Sequence, residues 1–179
     1  MKIIAIESSP HKNGSSNLLA EYFINGAEEA GHQVEIFDVA SLTIHPCLGC
    51  EACRIAGSCC QKDDMKGLKE KIMESDMLVF ITPLYYFGMS AQLKKTLDRF
   101  YSFNEELKAK AMKTVLIATA WDDQDWTMRA MRVHYETLCR YLNFDNQGMI
   151  LGLGCGTVSA TKNTEYPKQA YALGKQLIN

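Results

Sequence analysis

Five of the seven cysteines in this chain, Cys47, Cys50, Cys53, Cys59 and Cys60, fall in one short stretch, and thiols this dense imply metal or redox chemistry. The two x-x gaps bring Cys47, Cys50 and Cys53 onto one tight turn. Gly49, Ala52 and Gly57 leave room, and the five residues before Cys59 let a fourth sulfur fold back, with Cys60 pointing away or substituting. Cys47, Cys50, Cys53 and Cys59 are therefore candidate ligands. Four cysteine sulfurs suit a [4Fe-4S] cluster; they also suit zinc, and free or redox-active thiols fit the same residues. A disulfide scaffold is disfavoured in a chain of 179 residues, which can bury a core without staples. Cys139 and Cys155 lie far away in sequence and read as small buried apolar residues.

A second constellation sits at the front. Ser8-Ser9-Pro10-His11-Lys12-Asn13-Gly14-Ser15-Ser16-Asn17 follows the apolar run Ile3-Ile4-Ala5-Ile6 and precedes a helical pattern starting near Leu18. Hydroxyls, a cation and free backbone N–H groups at a helix N-terminus hold an anion by hydrogen bonds and dipole together. The stretch lacks the Gly-Lys-Ser/Thr ending of a P-loop, and its one glycine excludes G-x-G-x-x-G. A monophosphate loop built from side-chain hydroxyls remains, beside the plainer reading of Ser15 or Ser16 as a helix N-cap.

These residues need a scaffold, and the hydrophobic pattern supplies one. Strands are predicted at the N-terminus, at 34–39, 77–81, 114–119 and 149–153, and helices from about Leu18 to Ala30, from Asp63 or Asp64 to Ser75, from Ser90 to about Tyr101, from Asp125 to Leu142 and from Glu165 to Leu177. Five strands alternating with five helices imply an α/β doubly wound parallel sheet in one domain spanning 1–179, with order 2-1-3-4-5 and a switch point between the first and third strands. A ligand there touches the hydroxyl loop and the loop Thr82-Pro83-Leu84-Tyr85-Tyr86-Phe87-Gly88-Met89. The second loop is apolar and aromatic where solvent favours polar residues, so it covers something flat, a neighbouring subunit or its own core. One ligand with a phosphate at one end and a planar ring at the other fits both loops, and FMN is such a ligand.

The chain resembles the flavodoxin-like NAD(P)H-dependent FMN reductases over essentially its whole length. The resemblance is carried by Ser8 to Ser16, by the cysteine loop ending Lys62-Asp63-Asp64-Met65, and by Thr82 to Ser90 leading to Leu97-Asp98-Arg99. It implies that Ser9, His11, Ser15, Ser16 and Asn17 bind the FMN phosphate and that Pro83, Leu84, Tyr85, Tyr86 and Phe87 contact the ribityl chain and ring. Thr119 and Trp121 join the cofactor set, although Thr119-Ala120-Trp121-Asp122-Asp123-Gln124 stands where the family often has a small glycine-bearing loop. The acidic run there also reads as a solvated helix start. Ser8 and His11 replace the family's usual Gly and Arg, which implies weaker phosphate binding. The cysteine stretch resembles the compact motif of the iron-sulfur flavoproteins, a branch of the same superfamily.

The resemblance implies an oxidoreductase that passes hydride from NAD(P)H through FMN to a small acceptor such as a quinone, a nitro or azo compound, or flavin. The alternative is an iron-sulfur flavoprotein relaying single electrons between FMN and a [4Fe-4S] cluster. The flavin carries the chemistry, so no side chain is named as catalytic. A homodimer or dimer of dimers is expected from the same resemblance. A net charge of −2 without a basic stripe argues against nucleic acid as the main partner, and it is too small for a strongly acidic electron carrier. No apolar run reaches membrane-spanning length and the N-terminus reads as strand, so a cytoplasmic location without membrane contact is expected. His32, His45 and His134 have no partner at ligand spacing. Gly152-Leu153-Gly154-Cys155-Gly156 reads as a turn, with no helix directly after it.

Overall fold

The computed structural model describes residues 1–178. Strand β1 (Lys2–Glu7) leads through the hydroxyl loop into α1 (Ser15–Glu29), and β2 (Gln33–Asp38) leads into the cysteine loop. That loop holds the short helix α2 (Ala52–Ala56) and ends at α3 (Met65–Glu74). Strand β3 (Met77–Tyr85) and the two-residue β4 (Gly88–Met89) form a hairpin before α4 (Ala91–Arg99), a 3₁₀ turn and α5 (Asn104–Lys110). Then come β5 (Lys113–Thr119), α6 (Arg129–Leu142), β6 (Asp145–Gly152), α7 (Val158–Lys162) and α8 (Tyr166–Lys175).

The sheet runs β2-β1-β3-β5-β6 with all four pairings parallel, and β4 pairs antiparallel with the far end of β3. This is the expected order with one short strand added. Alternate residues of the central strands serve different cores, because side chains alternate across a strand. Ile4, Ile6, Leu78, Phe80, Leu116 and Ala118 pack with helices α3, α4 and α6 on one face. Ile3, Ala5, Met77, Val79, Val115 and Ile117 pack with α1 and α8 on the other. Helices α1 and α8 approach closely at Gly26 and Gly174, where a Cβ on either would run into backbone of the other helix, at Tyr171 and Phe23. The N-terminus of α1 lies at the carboxyl end of β1 because the hydroxyl loop joins the two directly.

Three short helices, α2, α5 and α7, have no counterpart in the sequence reading, and several boundaries move: β3 runs on to Tyr85 rather than ending at Ile81, and α1 starts at Ser15 rather than near Leu18. Helix α6 starts at Arg129 rather than Asp125, because Asp122 accepts hydrogen bonds from Thr127 Oγ1 (2.5 Å) and the Gln124 backbone N–H (3.3 Å) and makes that run a turn. Strand β6 starts at Asp145, four residues before the expected Met149, in a polar edge segment whose pairing with β5 is irregular at Thr114 and Val115.

Candidate functional site

At the carboxyl ends of β1, β3, β5 and β6 lies an open cleft of about 430 Å³. One wall is the hydroxyl loop, with Ser9, His11, Ser15 and Ser16 along it, and the opposite wall is Pro83, Leu84 and Tyr85. Thr119 and Trp121 close a third side. The N-cap of α1 is Gly14, with no side-chain cap bond, so the serines are first-turn residues rather than caps. A Cβ at Gly14 would stand 3.0 Å from the His11 carbonyl and narrow the turn. Ser9 Oγ accepts from the His11 backbone N–H (3.1 Å), which holds the loop in a tight curl.

Buried hydroxyls join the two main loops. Ser8 Oγ donates to the Ile81 carbonyl (2.8 Å) and accepts from Ser90 Oγ (2.9 Å). Ser90 is the N-cap of α4, and its backbone N–H donates to Thr82 Oγ1 (2.9 Å). Ser8, Thr82 and Ser90 are all fully buried and all partnered: Ser90 Oγ donates to Ser8 Oγ, while Thr82 Oγ1 accepts from the Ser90 backbone N–H and donates to the Pro83 carbonyl. This network ties the loop after β1 to the loop after β3, and it gives Ser8, in the place of a family glycine, a structural use.

Of the twelve residues named for the cofactor, nine line the cleft: Ser9, His11, Ser15, Ser16, Pro83, Leu84, Tyr85, Thr119 and Trp121. The other three do not. Asn17 Nδ2 donates to Glu7 Oε2 (3.0 Å) and the Lys12 carbonyl (3.2 Å), and so braces the base of the loop. Burial, with Asp38 adding to it, raises the Glu7 carboxyl pKa there. Tyr86 and Phe87 form the hairpin tip with φ of 46° and 63°, a left-handed pair that non-glycine residues adopt at a cost. The turn leaves Tyr86 fully exposed and sets Phe87 against Trp126 at 5.2 Å between ring centroids.

The loop after β6 contributes what sequence reasoning missed. Cys155, Gly156, Thr157 and Val158 line the same cleft. Contrary to expectation, a helix does begin just beyond it: Thr157 caps α7, its Oγ1 accepting from the Ala160 N–H at 3.1 Å. Gly156 has a steric reason, since a Cβ there would come 2.5 Å from the Trp121 ring. The Gly154-Cys155-Gly156-Thr157 run was the available signal.

The cysteine loop builds a separate cavity. Cys47, Cys50, Cys53, Cys59 and Cys60 all line it, together with Arg99, Tyr101 and Ser102. Glu51 and Gly57, both left-handed, bound α2 and turn the chain so that these sulfurs face one space. Cys50 and Cys60 sulfurs stand 3.7 Å apart. The Ala52 backbone N–H, and then Cys60, lower the Cys50 thiol pKa, while the hydrogen bond with Cys50 raises that of Cys60. Among the described residues, no three His, Cys, Asp or Glu side chains converge as a set for one ion.

Beneath this loop lies an ion pair. The side chains of Arg99 and Asp63 are 2% and 0% exposed; Nη1 donates to Asp63 Oδ2 (2.5 Å) and to the His45 carbonyl (2.9 Å), and Nη2 donates to Asp63 Oδ1 (3.1 Å). Asp63 also accepts from the backbone N–H groups of His45 (2.9 Å) and Met65 (3.2 Å), so it secures both ends of the loop. Burial pushes the Asp63 carboxyl up, but Arg99 and those N–H groups more than offset it and hold the pKa at about 2. Arg99 Nε is buried without a protein partner. Of the isolated thiols, Cys139 and Cys155 are buried as expected. Among the histidines, His32 bonds the Leu177 carbonyl (3.1 Å) and His45 bonds Asp63 (3.2 Å).

Comparison with known proteins gives three kinds of match. The family described as NADPH-dependent FMN reductase matches residues 1–141. An iron-sulfur flavoprotein of Archaeoglobus fulgidus is 34% identical over 119 residues, 65% of this chain and 54% of that protein, so the chain spans about half the length of that relative. A Bacillus subtilis protein, named provisionally as an NAD(P)H-dependent FMN-containing oxidoreductase, is 26% identical over 86% of both chains. Among solved structures, the NAD(P)H:quinone oxidoreductase of Methanothermobacter marburgensis superposes with a TM-score of 0.79 at 22% identity, over 100% of this chain and 96% of that one, which establishes a shared flavodoxin-like fold. Among the described residues, no helix is long and apolar enough to cross a membrane.

Proposed function

The chain belongs to the NADPH-dependent FMN reductase family, and from that premise we propose that its strand-end cleft binds FMN and that the protein uses it to move reducing equivalents from NAD(P)H to a small-molecule acceptor. The cleft itself carries this reading: hydroxyls and helix N–H groups of α1 face apolar and aromatic walls across one 430 Å³ space. The donor set fits the group. Ser9, Ser15 and Ser16 supply hydroxyls for a phosphate, His11 a nearby imidazole, and the α1 N-terminus unpaired N–H groups and a positive dipole. Pro83, Leu84, Tyr85 and Trp121 present flat surfaces for a ring, with Thr119 and Thr157 as polar contacts at its edge.

FMN supplies the ability to accept a hydride and hand it on. The residues supply binding, orientation and exclusion of water from the walled side, while the openness of the cleft admits NAD(P)H and acceptor in turn, which gives ping-pong kinetics. The balance is NAD(P)H plus a proton plus acceptor, giving NAD(P)⁺ and the two-electron-reduced acceptor. Quinones, nitro compounds, azo compounds and free flavin form the acceptor class. The reading takes residues 1–179 as one cytoplasmic domain. It also places a second copy over the exposed aromatic rim that includes Tyr86 and Trp126, as a homodimer or a dimer of dimers.

A second feature favours an electron-relay activity alongside the first. All five loop cysteines open onto one cavity, and a buried, unpartnered guanidinium N–H lies beside it. Four cysteine sulfurs are the ligand set of a [4Fe-4S] cluster, and Cys47, Cys50, Cys53 and Cys59 would supply them here. The test is purification without oxygen, followed by flavin and iron analysis and NAD(P)H oxidation with quinone and azo acceptors. Stoichiometric FMN and acceptor-dependent turnover are expected; a protein that binds no FMN overturns the proposal.

A further inference from the structure

We propose that Arg99 is the positioning residue of the cysteine cavity, donating its Nε–H to the sulfur of Cys59 when that sulfur ligates an iron-sulfur cluster. The inference rests on the cluster reading above. Arg99 has three donor nitrogens, carrying five N–H groups, in its guanidinium plane. The two terminal nitrogens are committed to Asp63 and the His45 carbonyl, which fixes the plane in a single orientation. The third, Nε, is buried and has no protein partner, and a buried donor left unpaired is costly. Cys59 is the thiol that acts on the guanidinium, by charge and as a nearby hydrogen-bonding group, although no sulfur meets hydrogen-bond geometry at Nε, and both residues line the cavity. The donor is therefore held in reserve for something that occupies or ligates within the cavity. A thiolate sulfur with metal-borne negative charge accepts such a bond readily, and hydrogen bonds to ligating sulfurs are one of the means by which a protein sets a cluster's potential.

The consequence follows from charge. Adding one electron makes the cluster more negative, and a cationic N–H donor stabilises the more negative state. Arg99 therefore raises the reduction potential of the site. Lysine is the informative replacement because it keeps the positive charge beside Asp63 but lacks the second, fixed donor.

Wild type and Arg99→Lys are reconstituted anaerobically with iron and sulfide, and iron content and reduction potential are measured. Both should retain iron, with the reduced-to-oxidised ratio at a fixed potential falling about ten-fold in the variant, equivalent to 59 mV for one electron. Independently, wild type labelled with ¹⁵N-arginine and reduced with dithionite should show a ¹⁵N coupling to the cluster in pulsed electron paramagnetic resonance. That coupling should survive Arg54→Lys, which alters the loop's other arginine, paired on the surface with Glu51. An unchanged potential in an iron-loaded Arg99→Lys, or no coupling in iron-loaded wild type, overturns the role of Arg99 and leaves the cluster reading standing. If Arg99→Lys does not fold, the wild-type coupling alone decides. A wild type that retains no iron removes the cluster reading and this inference with it.

Discussion

The strand-end cleft and the cysteine cavity are secured in different ways. The cleft is framed by the carboxyl ends of four strands whose pairing continues up to Glu7, Pro83, Thr119 and Gly152, and its two main loops are stitched by Ser8, Thr82 and Ser90. The cysteine cavity hangs from the end of the edge strand β2 on a stretch whose one five-residue helix buries no side chain. Its one buried tie is the Arg99–Asp63 pair with the two backbone N–H groups that donate to Asp63; others, such as Thr43 with Asp64 and Gln61 with the Pro46 carbonyl, are exposed. Damage to the cleft should therefore be local and graded, whereas damage to the cavity should be abrupt and trace back to one pair.

The largest effect should come from breaking that pair. Arg99→Leu leaves the Asp63 carboxylate buried without its cation, a change that costs roughly 3–5 kcal/mol. Thiol-reactive probes should then label Cys53 and Cys59 much faster than in wild type, with the FMN cleft intact in whatever fraction remains folded. Labelling rates equal to wild type would show that the loop holds itself.

On the cleft side, the double change Ser9→Ala and Ser16→Ala removes two hydroxyls from the phosphate wall. Hydrogen bonds to a charged group are worth about 1.5–3 kcal/mol each, so FMN affinity should fall by about 100-fold or more. Because Ser9 Oγ also accepts from His11, part of the loss reflects loop geometry. Circular dichroism should be unchanged. Unaltered FMN affinity by titration would remove the phosphate assignment.

The two regions also differ in how far the sequence revealed them. Buried parallel strands such as Met77-Leu78-Val79-Phe80-Ile81 announce themselves as unbroken apolar runs, and the order of the sheet followed from their alternation with helices. The hydroxyl loop and the Pro83-Leu84-Tyr85 wall were legible because the switch point fixes which loops meet. The wall at Gly156 and Thr157 was not, because a five-residue helix leaves too few turns for periodicity, and the need for glycine comes from Trp121, far away in sequence. The outward turn of Tyr86 and Phe87 was hidden for a related reason: nothing in their residue types signals two successive left-handed conformations. In the cysteine stretch, spacing indicated the chemistry, but the support beneath it joins Asp63 to Arg99 across a long sequence separation and has no local signature.

Acid should distinguish the two regions more gently. Asp63 has its folded pKa lowered to about 2 from an ordinary 3.8. A lowered carboxyl pKa stabilises the fold above the unfolded value, and that contribution is lost as pH falls from about 4 toward 2. It amounts to roughly 2 kcal/mol for a shift of this size. Denaturant melts across that window should show the loss in wild type and a shallower slope in Asp63→Asn. Equal slopes in the two proteins would mean that other carboxylates carry the acid sensitivity.

The smallest expected effect concerns Tyr85, which lines the cleft, in contrast to its neighbours Tyr86 and Phe87 at the hairpin tip. Tyr85→Ala removes an aromatic wall, and aromatic contacts add about 0.5–1.5 kcal/mol beyond the area they bury. FMN should bind roughly 2- to 13-fold more weakly for that contribution alone, with a changed flavin absorption envelope. Tyr86→Ala should leave both affinity and envelope as they are, since its side chain is fully exposed and outside the cleft; its effect, if a second copy covers the rim, is on the oligomer measured by sedimentation. The pair of variants therefore separates ring contact from subunit contact within one hairpin. If Tyr86→Ala perturbs the flavin spectrum while Tyr85→Ala does not, the hairpin closes over the ring from its tip, and the wall assigned to Tyr85 belongs to the tip.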